Sequence, residues 1–247
     1  MPKRCYSKIL CCFVIALACK TASAQSATDS ARYDAAINGV VNHFYQGVAE
    51  QSRLYNGYVY DSYDSSIKGS AYLDDIDAWR TGSVVYDGED FENVSMIYDL
   101  YTDQLVVMLF NHASPIALVP EKVASFDLHD RHFIRINANN GGVKAGFYEQ
   151  LYAGHSQAIK KVEKTLKSTS ASTGRERFFV LVHEVPDYYI KKNGTYYKVT
   201  SQGTVLDVFP DKKKELKQYI KDKHIQFDGL FEQALSSVVS YYDSLTN

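Results

Sequence analysis

The sequence predicts an α+β fold that is mainly β. We expect an antiparallel meander, either a curved sheet or a partly closed barrel, with an N-terminal helix and a C-terminal helical pair. Three observations carry this. Apolar residues alternate with polar ones through the middle of the chain, with turn residues every eight to twelve positions. An Asn-Gly pair sits at the centre of YYIKKNGTYYKV, residues 188–199. At both ends the apolar period lengthens to three and four residues. The predicted divisions are a signal peptide (1–24), an N-terminal helix (25–50), a β domain (51–202) and C-terminal helices packed on that domain (203–247).

The first residues, MPKRCYSKILCCFVIALACKTASAQ, have the three parts of an export signal. Lys3, Arg4 and Lys8 make a basic start, and Ile9 to Cys19 form an apolar run too short to span a bilayer. Ala22-Ser23-Ala24 supplies a small-x-small cleavage site, so the mature chain is expected to begin near Gln25. A second reading makes Cys19 a lipidated N-terminus and the protein an outer-membrane lipoprotein. Either cut places the chain outside the cytoplasm, periplasmic or secreted, with no transmembrane segment in the mature chain. Cys5, Cys11, Cys12 and Cys19 all lie at or before these cuts. With cleavage near Gln25 the mature chain has no disulfide, thiol nucleophile or cysteine-ligated zinc, and must be stabilised by its core.

Cleavage also changes the charge. Losing Lys3, Arg4, Lys8 and Lys20 takes Lys+Arg from 27 to 23 against 29 Asp+Glu, so the net charge goes from -2 to -6. Residues 25–110 hold 4 basic and 14 acidic side chains, whereas residues 144–224 hold 16 basic and 9 acidic. Such asymmetry suits a polyanion-binding half, or two halves of one domain that face each other. The acidic whole argues against specific binding of nucleic acid.

In 28–50, Tyr33, Ala36, Ile37, Val40, Val41, Phe44 and Val48 recur at helical spacing, with Asp29 or Ser30 as cap. Within 83–110, Asp87-Gly88 and Thr102-Asp103 mark turns between strands. PIALV, KVASFDL, HFIRI and GFYEQLY read as further strands. HSQAIKKVEKTLKS (155–168) fits helix or strand, and strand is favoured because it would pair with GFYEQLY across a short turn. Residues 168–174 read as a flexible loop. Pro210-Asp211 starts one helix with a narrow apolar stripe of Leu216, Tyr219 and Ile220. Asp228 caps another, with Phe231, Ala234, Leu235, Val238, Val239, Tyr242 and Leu245 on one face.

Asn193-Gly194 sets the register of the hairpin: Lys191 opposes Tyr196, Ile190 opposes Tyr197, Tyr189 opposes Lys198 and Tyr188 opposes Val199. Tyr188, Ile190, Tyr197 and Val199 then share the core-facing side. Tyr189, Lys191, Tyr196 and Lys198 form an outer face that would either stabilise the sheet by cross-strand pairing or stack on sugar rings and hold phosphates.

Asp127, His129 and His132 in DLHDRH are the best metal candidates, since imidazole and carboxylate suit zinc. On a continuous strand the two histidines point to opposite faces, and they converge only if the segment turns. The acidic runs YLDDIDAW and DGEDFEN lack the order of a calcium loop. The chain has no G-x-S-x-G elbow, P-loop or G-x-G-x-x-G, although triads and carboxylate pairs can be dispersed in sequence. No cofactor is expected. The lysines of DKKKELKQYIKDK, Lys213 and Lys217 among them, form a basic helix face suited to an anionic ligand or to solvent.

GFYEQLYAG, YYIKKNGTYYKV and FPDKKKELKQYIK, together with the YDG and NVSMIYDL strands, resemble exported proteins of Bacteroidota to which no activity is attached. The resemblance implies a cell-envelope or secreted location and carries no catalytic residue. The leading expectation is a non-enzymatic envelope binding or interaction protein, its partner an envelope protein, a glycan or another anionic ligand. The alternatives are a cofactor-free hydrolase of glycans or peptides, and a calcium- or zinc-stabilised scaffold.

Overall fold

A computed structural model of the chain describes residues 53–110, 114–137, 142–170 and 177–246. The expected signal peptide and N-terminal helix lie outside the described residues, as does most of the loop at Asn139-Asn140-Gly141.

The strands are β1 (Tyr58–Val59), β2 (Arg80–Tyr86), β3 (Glu89–Asp99), β4 (Gln104–Met108), β5 (Pro115–Ala117), β6 (Val123–Leu128) and β7 (Arg131–Ile136). They continue as β8 (Gly146–Ala153), β9 (Gln157–Lys161), β10 (Lys164–Ser170), β11 (Arg177–His183), β12 (Asp187–Lys192) and β13 (Thr195–Val199). Eleven of them form one antiparallel sheet in the order β1-β5-β4-β3-β2-β6-β7-β8-β9-β12-β13, while β10 and β11 make a separate ribbon. The large sheet is open, with β1 and β13 as its edges, so the barrel alternative is not realised. It nonetheless curls strongly: the β3–β4 turn places Asp103 within 2.8 Å of Lys161 on β9.

Tight turns come from residues that tolerate left-handed backbone. Asp87-Gly88, His129-Asp130 and Asn193-Gly194 all have positive φ, as two-residue type I′ hairpins require. The 155–168 segment is two strands. β9 pairs with β8 as expected, but β10 leaves the sheet to pair with β11, a strand the periodicity had not marked. The ribbon's base is fixed by Lys164, whose buried ammonium reaches the carbonyls of Ser70 (2.6 Å) and Tyr72 (3.0 Å) and the carboxylate of Asp75 (2.5 Å).

Three helices, rather than the expected pair, follow: α1 (Gln202–Val208), α2 (Lys213–Asp222) and α3 (Phe231–Thr246). Ser201 and Thr204 form a capping box that starts α1. Among the described residues no helix is long and apolar enough to cross a membrane. The helices cover one face of the C-terminal half of the sheet, where Ile190, Val199, Val205, Leu216, Leu235 and Val238 pack together. Asp243 of α3 is buried and accepts the Ser156 amide (2.8 Å) and the Tyr152 hydroxyl (3.2 Å), which ties the helix to the β8–β9 hairpin.

One cross-strand row organises this face. Phe91, Val84, Phe126, Phe133, Glu149, Lys160, Tyr188 and Val199 stand successively opposite one another from β3 to β13. At its start Phe126 stacks on Phe133 at 4.7 Å, with Tyr98 edge-on to both. At its end it joins the helix-covered core. Between the two lies a charged gap, Glu149–Lys160.

Candidate functional site

The 188–199 hairpin has the register that its turn dictates, Tyr189 opposite Lys198 and Lys191 opposite Tyr196 included. Its expected outer face is not free. Tyr196 is only 7% exposed and packs with Ile136, Val143, Tyr148 and Ile159, with Tyr189 against the same cluster. The reason is a second apolar surface behind this part of the sheet, which the hairpin's own sequence does not reveal. Lys198 is held by Asp187 at 2.6 Å, and Lys191 lies over the Tyr196 ring at 5.4 Å. Conversely Tyr197, expected to face the core, is 44% exposed, because β13 is an edge strand covered by a neighbour on one side alone. Tyr189, Lys191, Tyr196 and Lys198 are thus each engaged by neighbours within the sheet.

The DLHDRH segment does turn, at His129-Asp130, yet its histidines diverge. His132 Nδ1 lies 2.7 Å from Asp127, whereas His129 Nδ1 lies 3.0 Å from Asp74, which also pairs with Arg131. Among the described residues no set of three or more histidine, cysteine, aspartate or glutamate side chains is placed to hold a metal ion. Of Asp127, His129 and His132, only the first and last meet.

Asp127 and His129 line a cleft of about 480 Å³ with Arg80, Ser83, Glu92 and Asn93. A β-bulge opens it: the β2–β3 register shifts between Gly82 and Val84, and Asn93 has positive φ. Ser83 donates to Asp127 at 2.8 Å, and His132 is bonded to the same carboxylate. The order is serine–carboxylate–imidazole. An activated serine needs the imidazole in the middle to take its proton, so this trio does not make a nucleophile.

Two members of the acidic run at 74–77 are taken up by ion pairs. Asp74 binds Arg131 and His129, and Asp75 binds Lys164 and His183 (3.0 Å). Burial works against the ionised Asp74, but bonds from Arg131 and His129 outweigh it and hold the carboxyl below its ordinary range. Bonds from Lys164 and His183 do the same for Asp75. Asp99 is fully buried and satisfied by the hydroxyls of Tyr60 (2.8 Å) and Tyr63 (2.6 Å) and the amides of Tyr101 and Thr102. Burial, reinforced by that carboxylate, pushes both hydroxyls well above the normal tyrosine range. In the charged gap, Lys160 lies 3.4 Å from Glu149 and 2.7 Å from Glu232 of α3, and Glu149 lies 3.6 Å from Arg131. Tyr188 donates to Glu232 at 3.0 Å beside a cavity of about 450 Å³ at the start of α3. These clusters pair charge with charge and explain their own residues.

The lysines of α2 are different. Lys68 and Lys191 lie over aromatic rings, and Lys122, Lys160, Lys161, Lys164, Lys167, Lys192, Lys198, Lys212 and Lys213 each have a carboxylate within reach. Lys213, a sequence candidate, is bound to Asp207 at 2.6 Å. Among the described residues, Lys214, Lys217, Lys221 and Lys223 are exposed and have no such partner, and only Lys144 elsewhere shares that condition. At about 100° per residue, Lys214, Lys217 and Lys221 fall within an arc of about 60° and run about 10 Å along the axis. Lys221 and Lys223 complement the negative end of the helix. Lys214, in its first turn, opposes the dipole at a cost of a few tenths of a kcal/mol. Helix stability therefore does not explain it. The sequence had named Lys213 and Lys217. Separating the paired from the free lysines needed the position of Asp207, which belongs to a helix the sequence reading did not mark.

No protein-family model, no curated protein and no solved structure matches this chain.

Proposed function

We propose that the protein is a non-enzymatic, exported binding module of the cell envelope, and that the free lysines of α2 are its contact with an anionic partner. The observation that carries this is the contrast among lysines: the rest of the described ones, Lys144 apart, are neutralised or stacked, while Lys214, Lys217 and Lys221 of α2 and Lys223 just after it have no such partner. A chain whose net charge is -2 in full, and -6 after the expected cleavage, is locally cationic at this surface. Within a Debye length of about 8–10 Å a partner responds to the local patch more than to distant carboxylates. Export rests on the three-part N-terminal sequence and on the resemblance to exported Bacteroidota proteins.

Retention on a negatively charged chromatography matrix at pH 7 and low salt tests the surface. The wild-type chain should be retained despite its net negative charge, and Lys214→Gln/Lys217→Gln/Lys221→Gln should pass through. Retention unchanged in the triple variant would remove α2 from the account. Sequencing the N-terminus of the protein recovered from its cells tests export, with a start near Gln25 expected.

A further inference from the structure

Granting that the α2 lysines bind anions, we propose that their ligand is a linear acidic polysaccharide lying along the helix, with carboxylate or phosphate groups about 5 Å apart. The first argument is width. On one side the lysine stripe is bounded by Glu215 and Asp222 of the same helix, both exposed. On the other side lies Asp207, bound to Lys213 at 2.6 Å. A broad anionic plane such as a bilayer surface, pressed against α2, would bring its charges onto these carboxylates. A single polymer strand can follow the stripe and avoid them.

The second argument is spacing. Lys214 to Lys217 is a rise of about 4.5 Å and Lys217 to Lys221 about 6 Å. A chain with charges at that repeat meets each ammonium in turn. The contact is made by lysines with no arginine in α2, so it consists of point charges rather than the bidentate forks that fix one phosphate in one orientation. That suits a flexible repeating polymer.

The third argument separates a polysaccharide from a nucleic acid strand. Proteins that grip single strands combine cations with aromatic platforms on which bases stack. The one aromatic of α2, Tyr219, projects from the opposite side of the helix and is itself stacked on Tyr241 at 3.9 Å and 11°. Nor does α2 have apolar residues to insert into a membrane, since Leu216 and Ile220 are buried in the core.

The test compares three probes with the full-length protein: oligogalacturonate, vesicles of phosphatidylglycerol in phosphatidylcholine, and oligothymidylate. Oligogalacturonate should bind best, with affinity falling with salt at a log–log slope of about -2, about 0.7 for each of three contacts. Lys214→Gln/Lys217→Gln/Lys221→Gln should bring that slope close to zero and weaken binding by about tenfold or more at low salt. Lys144→Gln should leave both unchanged, which controls for net charge. Tighter binding of vesicles or oligothymidylate than of oligogalacturonate, abolished by the same triple variant, would overturn the polysaccharide and leave the anion-binding surface standing. Binding of no probe would overturn both.

Discussion

Asp103, in the β3–β4 turn, holds the ammonium of Lys161 on β9 at 2.8 Å, although β2, β6, β7 and β8 lie between β3 and β9 in the sheet. The same carboxylate accepts the Tyr98 hydroxyl at 2.5 Å and the Phe147 amide at 3.2 Å, and Lys161 donates to the Phe147 carbonyl at 3.0 Å. This junction fixes how far the open sheet curls over its aromatic core.

Removing one partner strands the other. Asp103→Ala leaves the buried Lys161 ammonium without a counterion, and a loss of about 2–4 kcal/mol in urea unfolding is expected. Tyr98→Phe keeps the ion pair and deletes one hydrogen bond, so about 1 kcal/mol is expected. Equal effects of the two would show that the ion pair contributes little to the curl.

The hairpin separates architecture from recognition. Tyr196→Ala should destabilise the fold by about 3 kcal/mol, as truncating a buried aromatic does. Lys198→Ala removes only its exposed pair with Asp187 and should cost about 0.5 kcal/mol or less. Denaturation midpoints of the two variants check this, and a neutral Tyr196→Ala would return that side chain to the solvent-facing role read from sequence.

Acid should weaken the clasp at the Leu73–Asp75 turn. Asp74 and Asp75 both have carboxyl pKa values lowered from the ordinary 3.8 in the folded state. Their contribution is therefore fully present above pH 4 and is lost as pH falls below it toward the folded values. Both are substantially exposed, so each contributes a fraction of a kcal/mol. Asp75→Asn should flatten part of the decline in stability between about pH 4 and 2, measured by urea unfolding at each pH.

Lys214 sets stability against binding. Lys214→Glu places an acid in the first turn of α2, which should raise the melting temperature by about 1–2 °C. The same change should abolish retention on an anionic matrix. A variant that is both less stable and still retained would contradict the role given to this lysine.

Legibility in the sequence followed the range of the interactions. The 188–199 register and the Asp87-Gly88 turn rest on two-residue chemistry, and the structure has both. Strand pairing of β8 with β9 followed from a short connection. The departure of β10 into a ribbon did not, because it depends on Lys164 finding the carbonyls of Ser70 and Tyr72 far along the chain. The short helix α1 was missed because its seven residues give too few turns for a period, although Ser201 and Thr204 carried a capping signal. Asp127 and His132 meet because they are cross-strand partners. His129 is turned away by the left-handed pair His129-Asp130, which a Gly- and Asn-free segment did not announce. The basic helix was visible as composition, but that Lys213 is taken while Lys217 is free was decided by Asp207.

The most direct test of the α2 surface is to add a short oligogalacturonate to isotopically labelled protein and follow backbone amide shifts by NMR. The account predicts shifts concentrated at Lys214, Lys217 and Lys221, reversed by salt, with Ser83, Asp127 and Tyr196 unmoved. Shifts concentrated in the Ser83–Asp127 cleft or along the hairpin, with α2 unperturbed, would contradict it.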